Sequence, residues 1–240
     1  MFPLILRLLK IVHTNGYLVE FDVYQDNNYN FTTTTSRLPV WVKSPEDLST
    51  AGYQFVRDSV NQFDQLLNGS TNPSFPNNGY KEILNIDSFV NYLMVYEITR
   101  NLELQHPKST FMHKDTHGLI TMGPVWDFDW AFGLDGNKSI NTSLAAGRYT
   151  TSNNKFGRFH TDPAFTAMYK ARWNEKYNSA IRTMPDFIDA MYEKIKVSES
   201  LDAIRWHNTS SFTKNYTNEI SKMKQFWTNR VSYLNTEINR

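Results

Sequence analysis

The sequence predicts an α+β fold, with a short β region at the start, a mostly helical remainder and a β-hairpin between them at the candidate site. Three observations carry this reading. Gly16 to Tyr24 (Gly-Tyr-Leu-Val-Glu-Phe-Asp-Val-Tyr) alternates apolar and polar residues as a strand does. Ile86, Phe89, Val90, Leu93 and Met94 recur at helical spacing, as do Tyr216, Ile220, Met223, Trp227, Val231 and Leu234. Two strand-like runs, Ser109 to Lys114 and Leu119 to Val125, flank Asp115-Thr116-His117-Gly118, which reads as a hairpin turn.

The elements follow in order. Met1 to Val12 is apolar but has no basic leader or small-residue cleavage site and is too short to span a bilayer. It reads as a strand or a truncation edge rather than a targeting segment. Gly16 to Tyr24 is a strand, Asp26 to Ser36 a polar loop, and Leu38 to Lys43 a second strand. Ser44-Pro45-Glu46-Asp47 reads as a helix start, because Ser can cap, Pro suits the first helical position and acids favour the first turn. That helix is expected to reach about Leu67, and the Gly, Ser, Asn and Pro of Asn68 to Asn78 make a loop. The next helix starts after an Asp87 cap and ends near Arg100. Glu97 falls within its apolar stripe, where a carboxylate needs a partner; it is expected to tie down the Asn101–Ser109 loop. After the hairpin, Gly136 to Thr161 is a long polar segment, either an active-site loop or a mobile one. Helices are predicted from Pro163 to about Arg182, Pro185 to Lys196, Ser198 to Trp206 and Asn215 to Asn239.

Composition narrows the function classes. Forty per cent of the 240 residues are hydrophobic and 15% aromatic, enough for a real core. The formal net charge of +1, with dispersed Lys and Arg, gives no field to draw nucleic acid or an anionic membrane. There is no Cys, hence no disulfide, thiolate metal site or thiol nucleophile; this does not decide the compartment.

The chemistry concentrates in Gly123-Pro124-Val125-Trp126-Asp127-Phe128-Asp129-Trp130-Ala131-Phe132-Gly133. Two carboxylates two residues apart among large aromatics call for a cation, and oxygen-only ligands suit Mg²⁺ or a similar hard ion. The order of helix, polar loop, hairpin and double Asp is the layout of the catalytic half of a protein-kinase-like fold. In that fold, a loop carboxylate orients the attacking hydroxyl and an Asp after the hairpin holds the metal.

Three segments carry a resemblance: Tyr96-Glu97-Ile98-Thr99-Arg100-Asn101-Leu102-Glu103, His106-Pro107-Lys108-Ser109-Thr110-Phe111-Met112-His113-Lys114-Asp115, and Met122 to Gly133. Together with the Gly16–Asp22 strand, they resemble the CotH family of spore-coat atypical protein kinases, which has many bacterial surface and secreted relatives. The resemblance implies a CotH-type kinase-like fold and ATP-dependent phosphorylation of Ser in protein substrates, with Mg²⁺ or Mn²⁺. Asp127 matches the family's metal-binding Asp and Asp129 the second Asp of the motif. Asn101 and Glu103 match an Asn-x-Asp pair, which makes Glu103 a candidate catalytic carboxylate and Asn101 a candidate metal ligand. Lys108 and Ser109 fall where many members place an Asn before the hairpin, and are candidate cofactor-binding residues. A cell-surface or secreted bacterial location is also implied by the resemblance alone, since no signal peptide is visible.

Two departures stand out. Glu103 replaces Asp, which lengthens the reach of the carboxylate. Little chain precedes Gly16 and no glycine-rich phosphate loop is visible. Residues 1–43 therefore read as a remnant of nucleotide-lobe strands, residues 44–240 as the helical lobe with the site, and this length of chain as weak or inactive by itself. The alternative is a non-catalytic surface module that binds glycan or protein and keeps the kinase-like fold. Three further readings rank lower. His106, His113 and His117 lie close in sequence but lack a helical metal spacing. Trp173, Trp206 and Trp227 suit helix cores better than sugar stacking. Glu103 with Asp127 or Asp129 as a glycosidase pair leaves the hairpin unexplained.

Overall fold

A computed structural model describes residues 16–24, 29–69, 76–105, 107–136, 139–151, 155–206 and 216–240. The apolar start, Met1 to Val12, lies outside the described residues. The strands are β1 (Tyr17–Phe21), β2 (Asn30–Thr32), β3 (Pro39–Ser44), β4 (Thr110–Lys114) and β5 (Thr121–Met122). They form one antiparallel sheet of order β2-β3-β1-β4-β5. The helices are α1 (Thr50–Asn68), α2 (Tyr80–Ile83), α3 (Ile86–Thr99), α4 (Pro163–Lys176), α5 (Met184–Trp206) and α6 (Tyr216–Asn239). The α+β class is therefore as the sequence predicts: a small sheet and mostly helix. Among the described residues no helix is long and apolar enough to cross a membrane.

The chain divides into two compact units, Met1–Phe89 with Pro107–Trp126, and Val90–His106 with Asp127–Arg240. The first holds the sheet. Val19 and Phe21 of β1, Val40 and Val42 of β3 and Met112 of β4 are fully buried and share one sheet face by strand alternation. Helix α1 packs here through Tyr17, whose ring meets Phe55 edge-on and whose hydroxyl hydrogen-bonds Ser59 Oγ at 2.8 Å. Phe63 of α1 meets Phe89 at 5.9 Å between ring centroids. The turn between β4 and β5 closes with Gly118 N–H donating to Asp115 O at 3.1 Å, as expected.

Three local expectations fail in this unit. Ser44 does not cap a helix; it pairs with Leu18 and ends β3. A residue before proline is driven to extended backbone, which suits a strand better than a helix start. The cap of α1 is Ser49, whose Oγ accepts from Gly52 N at 3.1 Å. The polar segment around Asn30 contributes β2, because Phe31 is buried and its neighbours pair with Trp41 and Pro39. Likewise Asp87 lies in the first turn of α3, and the capping oxygen is Asn85 Oδ1, 3.3 Å from Ser88 N.

In the second unit, Asp162 caps α4 by accepting from Ala164 N at 2.8 Å, with Pro163 at the first helical position. Helix α4 runs into a π-helical turn, Tyr177–Ile181, whose last carbonyl accepts from Trp227 Nε1 at 2.8 Å. Trp173 Nε1 of α4 donates to Asn235 Oδ1 of α6 at 3.0 Å. Helix α5 is continuous where two helices are expected: nothing at Val197-Ser198 breaks it, and Ser198 Oγ bonds back to Ile195 O. Trp173 and Trp227 are core residues, but Trp206 is 47% exposed, contrary to the core reading.

Candidate functional site

The double-Asp segment leaves β5 and turns sharply. Asp127 is left-handed (φ 58°), as are Phe132 (φ 55°) and Gly133 (φ 76°). Such backbone is uncommon outside glycine, though Asp tolerates it better than Phe does. Phe132 is held there by its N–H bond to Thr99 O at 2.6 Å and by its ring stacked on Trp227. Gly133 is required, since a Cβ there would lie 2.6 Å from the Phe226 ring. Phe128 meets Tyr96 edge-on at 5.0 Å, so the aromatic between the two aspartates is the anchor that packs inward.

Asp127 and Asp129 are exposed, and their side chains hydrogen-bond each other. Partial desolvation, then that bond and the charge of Asp127, push the Asp129 carboxyl above the usual carboxylate range. Two carboxylates held this close make an oxygen-rich pair, whose crowding a divalent cation would relieve.

Asn101 ties this turn to the loop after α3. Its Nδ2 donates to Asp127 O at 3.0 Å, and its Oδ1 accepts from Glu103 N at 2.9 Å. Glu103 begins a short 3₁₀ turn, Glu103–Gln105, between α3 and β4. Glu103 and Asp127 thus occupy the predicted places, one before the hairpin and one after it. Among the described residues no three His, Asp or Glu side chains gather closely enough to hold a metal ion, so Glu103 does not complete such a group with the Asp pair. The Asp127 and Asp129 carboxylates are hard oxygen donors of the kind a divalent cation takes, while the Asn101 amide oxygen accepts from Glu103 N–H. His113 is engaged elsewhere, its Nδ1 lying 3.2 Å from Gly123 O; His106 is outside the described residues.

Lys108 and Ser109 belong to the first unit, where Asp22 organises them. Asp22 is buried and accepts from Ser109 N at 3.1 Å and Tyr24 N at 2.8 Å. Ser109 is left-handed (φ 46°), and Lys108 Nζ lies 5.0 Å from the Tyr24 ring centre. Asp22 was legible only as the end of a strand; a carboxylate at a strand end before a polar loop was the available signal.

Glu97 is buried and hydrogen-bonded, as the sequence requires, but to a different partner segment. Its carboxylate accepts from Tyr149 N and Thr150 N, both at 2.9 Å, from Thr150 Oγ1, and from Arg230 Nη2 at 2.8 Å. Arg148 Nε stands 3.5 Å away. The segment tied down is therefore Arg148–Thr150, not the Asn101–Ser109 loop. Burial alone would push Glu97 up, but Arg148, Arg230 and the bonds from Thr150 and Tyr149 outweigh it and hold the carboxyl below its ordinary range. Arg230 also binds Ala145 O at 2.9 Å and Gly147 O at 2.5 Å. Thr150 Oγ1 donates to Glu97, so it accepts from His160 Nε2 at 3.1 Å, which assigns the tautomer. Burial, then Arg148, pushes His160 down to about 4. Arg230 was missed in the sequence; its place four residues after Phe226 and three after Trp227 puts it on the apolar face, where a lone Arg demands a partner.

The family model described as CotH kinase protein matches residues 7–234. No curated protein and no solved structure gives a significant match. With nearly all of its 240 residues covered, the chain belongs to the CotH kinase family.

Proposed function

We propose that this chain is the metal-binding part of a kinase-like phosphotransferase that passes phosphate from ATP to Ser hydroxyls of a protein substrate. The observation that carries the reading is the exposed Asp127–Asp129 pair, two carboxylates in mutual contact on a left-handed turn. Strained backbone and crowded like charges are features that functional sites retain and structural turns shed. Asp127 and Asp129, with Asn101, would hold Mg²⁺ or Mn²⁺, which neutralises phosphate charge during transfer. Glu103 would accept or orient the attacking hydroxyl, and Lys108 and Ser109 would contact the nucleotide. Membership of a kinase family supports this assignment, and a bacterial surface or secreted setting accords with it.

A non-catalytic binding module is the second reading. It is favoured by the exposure of Trp126 (58%) and Trp130 (46%) on either side of the aspartates, since exposed indoles bind sugars and peptides. Thermal melting with Mn²⁺ and ATP together separates the two. A nucleotide–metal complex raises the melting temperature by mass action, about 2.7 kcal/mol of stabilisation at a hundredfold excess over Kd. No shift with ATP and metal, but a shift with an oligosaccharide, would favour the binding module.

A further inference from the structure

Helix α3 ends in a two-bond stop. Arg100 is left-handed (φ 54°) and donates its N–H to Glu97 O at 3.2 Å, and Asn101 N–H donates to Tyr96 O at 3.1 Å. This stop ordinarily takes glycine in the left-handed place, and a side chain there carries a steric cost. Asn101 is the next residue, so the same stop sets where its amide points. The Arg100 side chain supplies the compensation: Nε donates to Tyr149 OH at 2.5 Å, and the guanidinium lies 4.6 Å from the Tyr149 ring centre. Tyr149 is fixed in turn by Glu97 Oε1 at its N–H and by Arg230, 5.2 Å from the same ring. Arg230 Nε and Nη2 also bind Glu97 O, at 3.1 and 2.7 Å, the carbonyl that Arg100 N–H uses.

We propose that Glu97, Tyr149 and Arg230 are positioning residues that hold Arg100 in its left-handed bend and so aim the Asn101 amide at the Asp127 backbone. The proposal rests on reading Asn101 and Asp127 as metal ligands. It gives Tyr149 a role in the site, and it explains why an Arg occupies a place that glycine fills more easily.

The test is Mn²⁺ affinity of the whole chain, read from the electron paramagnetic resonance of the free ion well below the melting temperature. Tyr149→Phe removes only the hydroxyl that Arg100 binds. It should weaken Mn²⁺ binding about fivefold, the left-handed penalty of an unsupported side chain expressed as an equilibrium constant. Adding Arg100→Gly to Tyr149→Phe should restore affinity to within about twofold, because glycine holds the bend unaided; a Tyr149 that merely stabilised the fold would not be rescued this way. Wild-type affinity in Tyr149→Phe, or a loss that Arg100→Gly does not restore, overturns the proposal and leaves the metal site standing. A wild type that binds no Mn²⁺, or binds it equally well as Asp127→Asn, defeats the site reading and this inference with it.

Discussion

Glu97→Ala should be among the most damaging single substitutions in the chain. It deletes the acceptor of Tyr149 N–H, Thr150 N–H, the Thr150 hydroxyl and Arg230 Nη2 at once. A stranded buried donor costs about 1–3 kcal/mol, and breaking a buried ion pair from one side costs about 3–5 kcal/mol. These terms overlap, because the cluster relaxes as a unit and Arg230 keeps the carbonyls of Glu97, Ala145 and Gly147. The expected loss is about 3–5 kcal/mol, a fall in melting temperature of roughly 10 °C for a chain of this size. Urea denaturation measures it as a shift in midpoint at constant slope. Arg230→Met combined with Glu97→Ala removes the orphaned charge, so the double variant should be less destabilised than the sum of the singles, by about 1–3 kcal/mol. A loss below about 1 kcal/mol for Glu97→Ala, or strict additivity with Arg230→Met, would refute the coupling argument.

Other consequences can be checked in parallel. His160 is held neutral, with a folded pKa of about 4 against an ordinary value of 6.5, so the unfolded chain binds the extra proton first. Its contribution is fully present above pH 6.5 and is lost as pH falls towards 4, up to about 3 kcal/mol; Glu97, whose carboxyl is also depressed, adds a further loss below its ordinary value. His160→Gln should flatten the upper part of that acid slope in denaturation midpoints taken from pH 7 to 4, and an unchanged slope would count against the assignment. Gly133→Ala should destabilise by about 2 kcal/mol or more, because it combines a left-handed backbone with a Cβ pressed on Phe226; a neutral outcome in thermal melting would contradict this. Asp129→Asn should raise the metal-free melting temperature slightly at pH 7. The gain should fade as pH falls through the raised Asp129 value, where the wild type takes up the proton that relieves the pair.

Much of this was written in local pattern. The β1 alternation, the α3 stripe, the hairpin and the α6 face each appear where the sequence places them, because buried faces of regular elements leave a period. Glu97 stood out for the same reason, as a charge within an apolar stripe. What stayed hidden depends on residues distant in sequence. The partner of Glu97 is Arg230, 133 residues away, and no local signal names it. Ser44 reads as a cap in the sequence, and only its pairing with Leu18, a contact distant in sequence, places it in a strand. The β2 strand is Asn- and Thr-rich and is specified by one buried ring, Phe31. At the site, the aspartates and their order around the hairpin were legible. The Asn101 bond to the Asp127 carbonyl, the Asp22 anchor of Ser109 and the Arg100 bend were not, since each turns on backbone direction rather than residue type.

Under the proposed function, Asp127 holds the divalent ion on which phosphate transfer depends. This is tested most directly by transfer of labelled γ-phosphate from ATP to a Ser-rich peptide, with Mn²⁺ or Mg²⁺, for the wild type and Asp127→Asn, in both this chain and a version extended upstream. Transfer by the active length should require the divalent ion and fall by ~10²–10³ in the variant, in which a charge needed in the transition state is gone while the fold remains. Metal-dependent transfer of equal rate with and without the Asp127 carboxylate, or a wild type that neither binds nor turns over ATP at either length, would overturn the assignment.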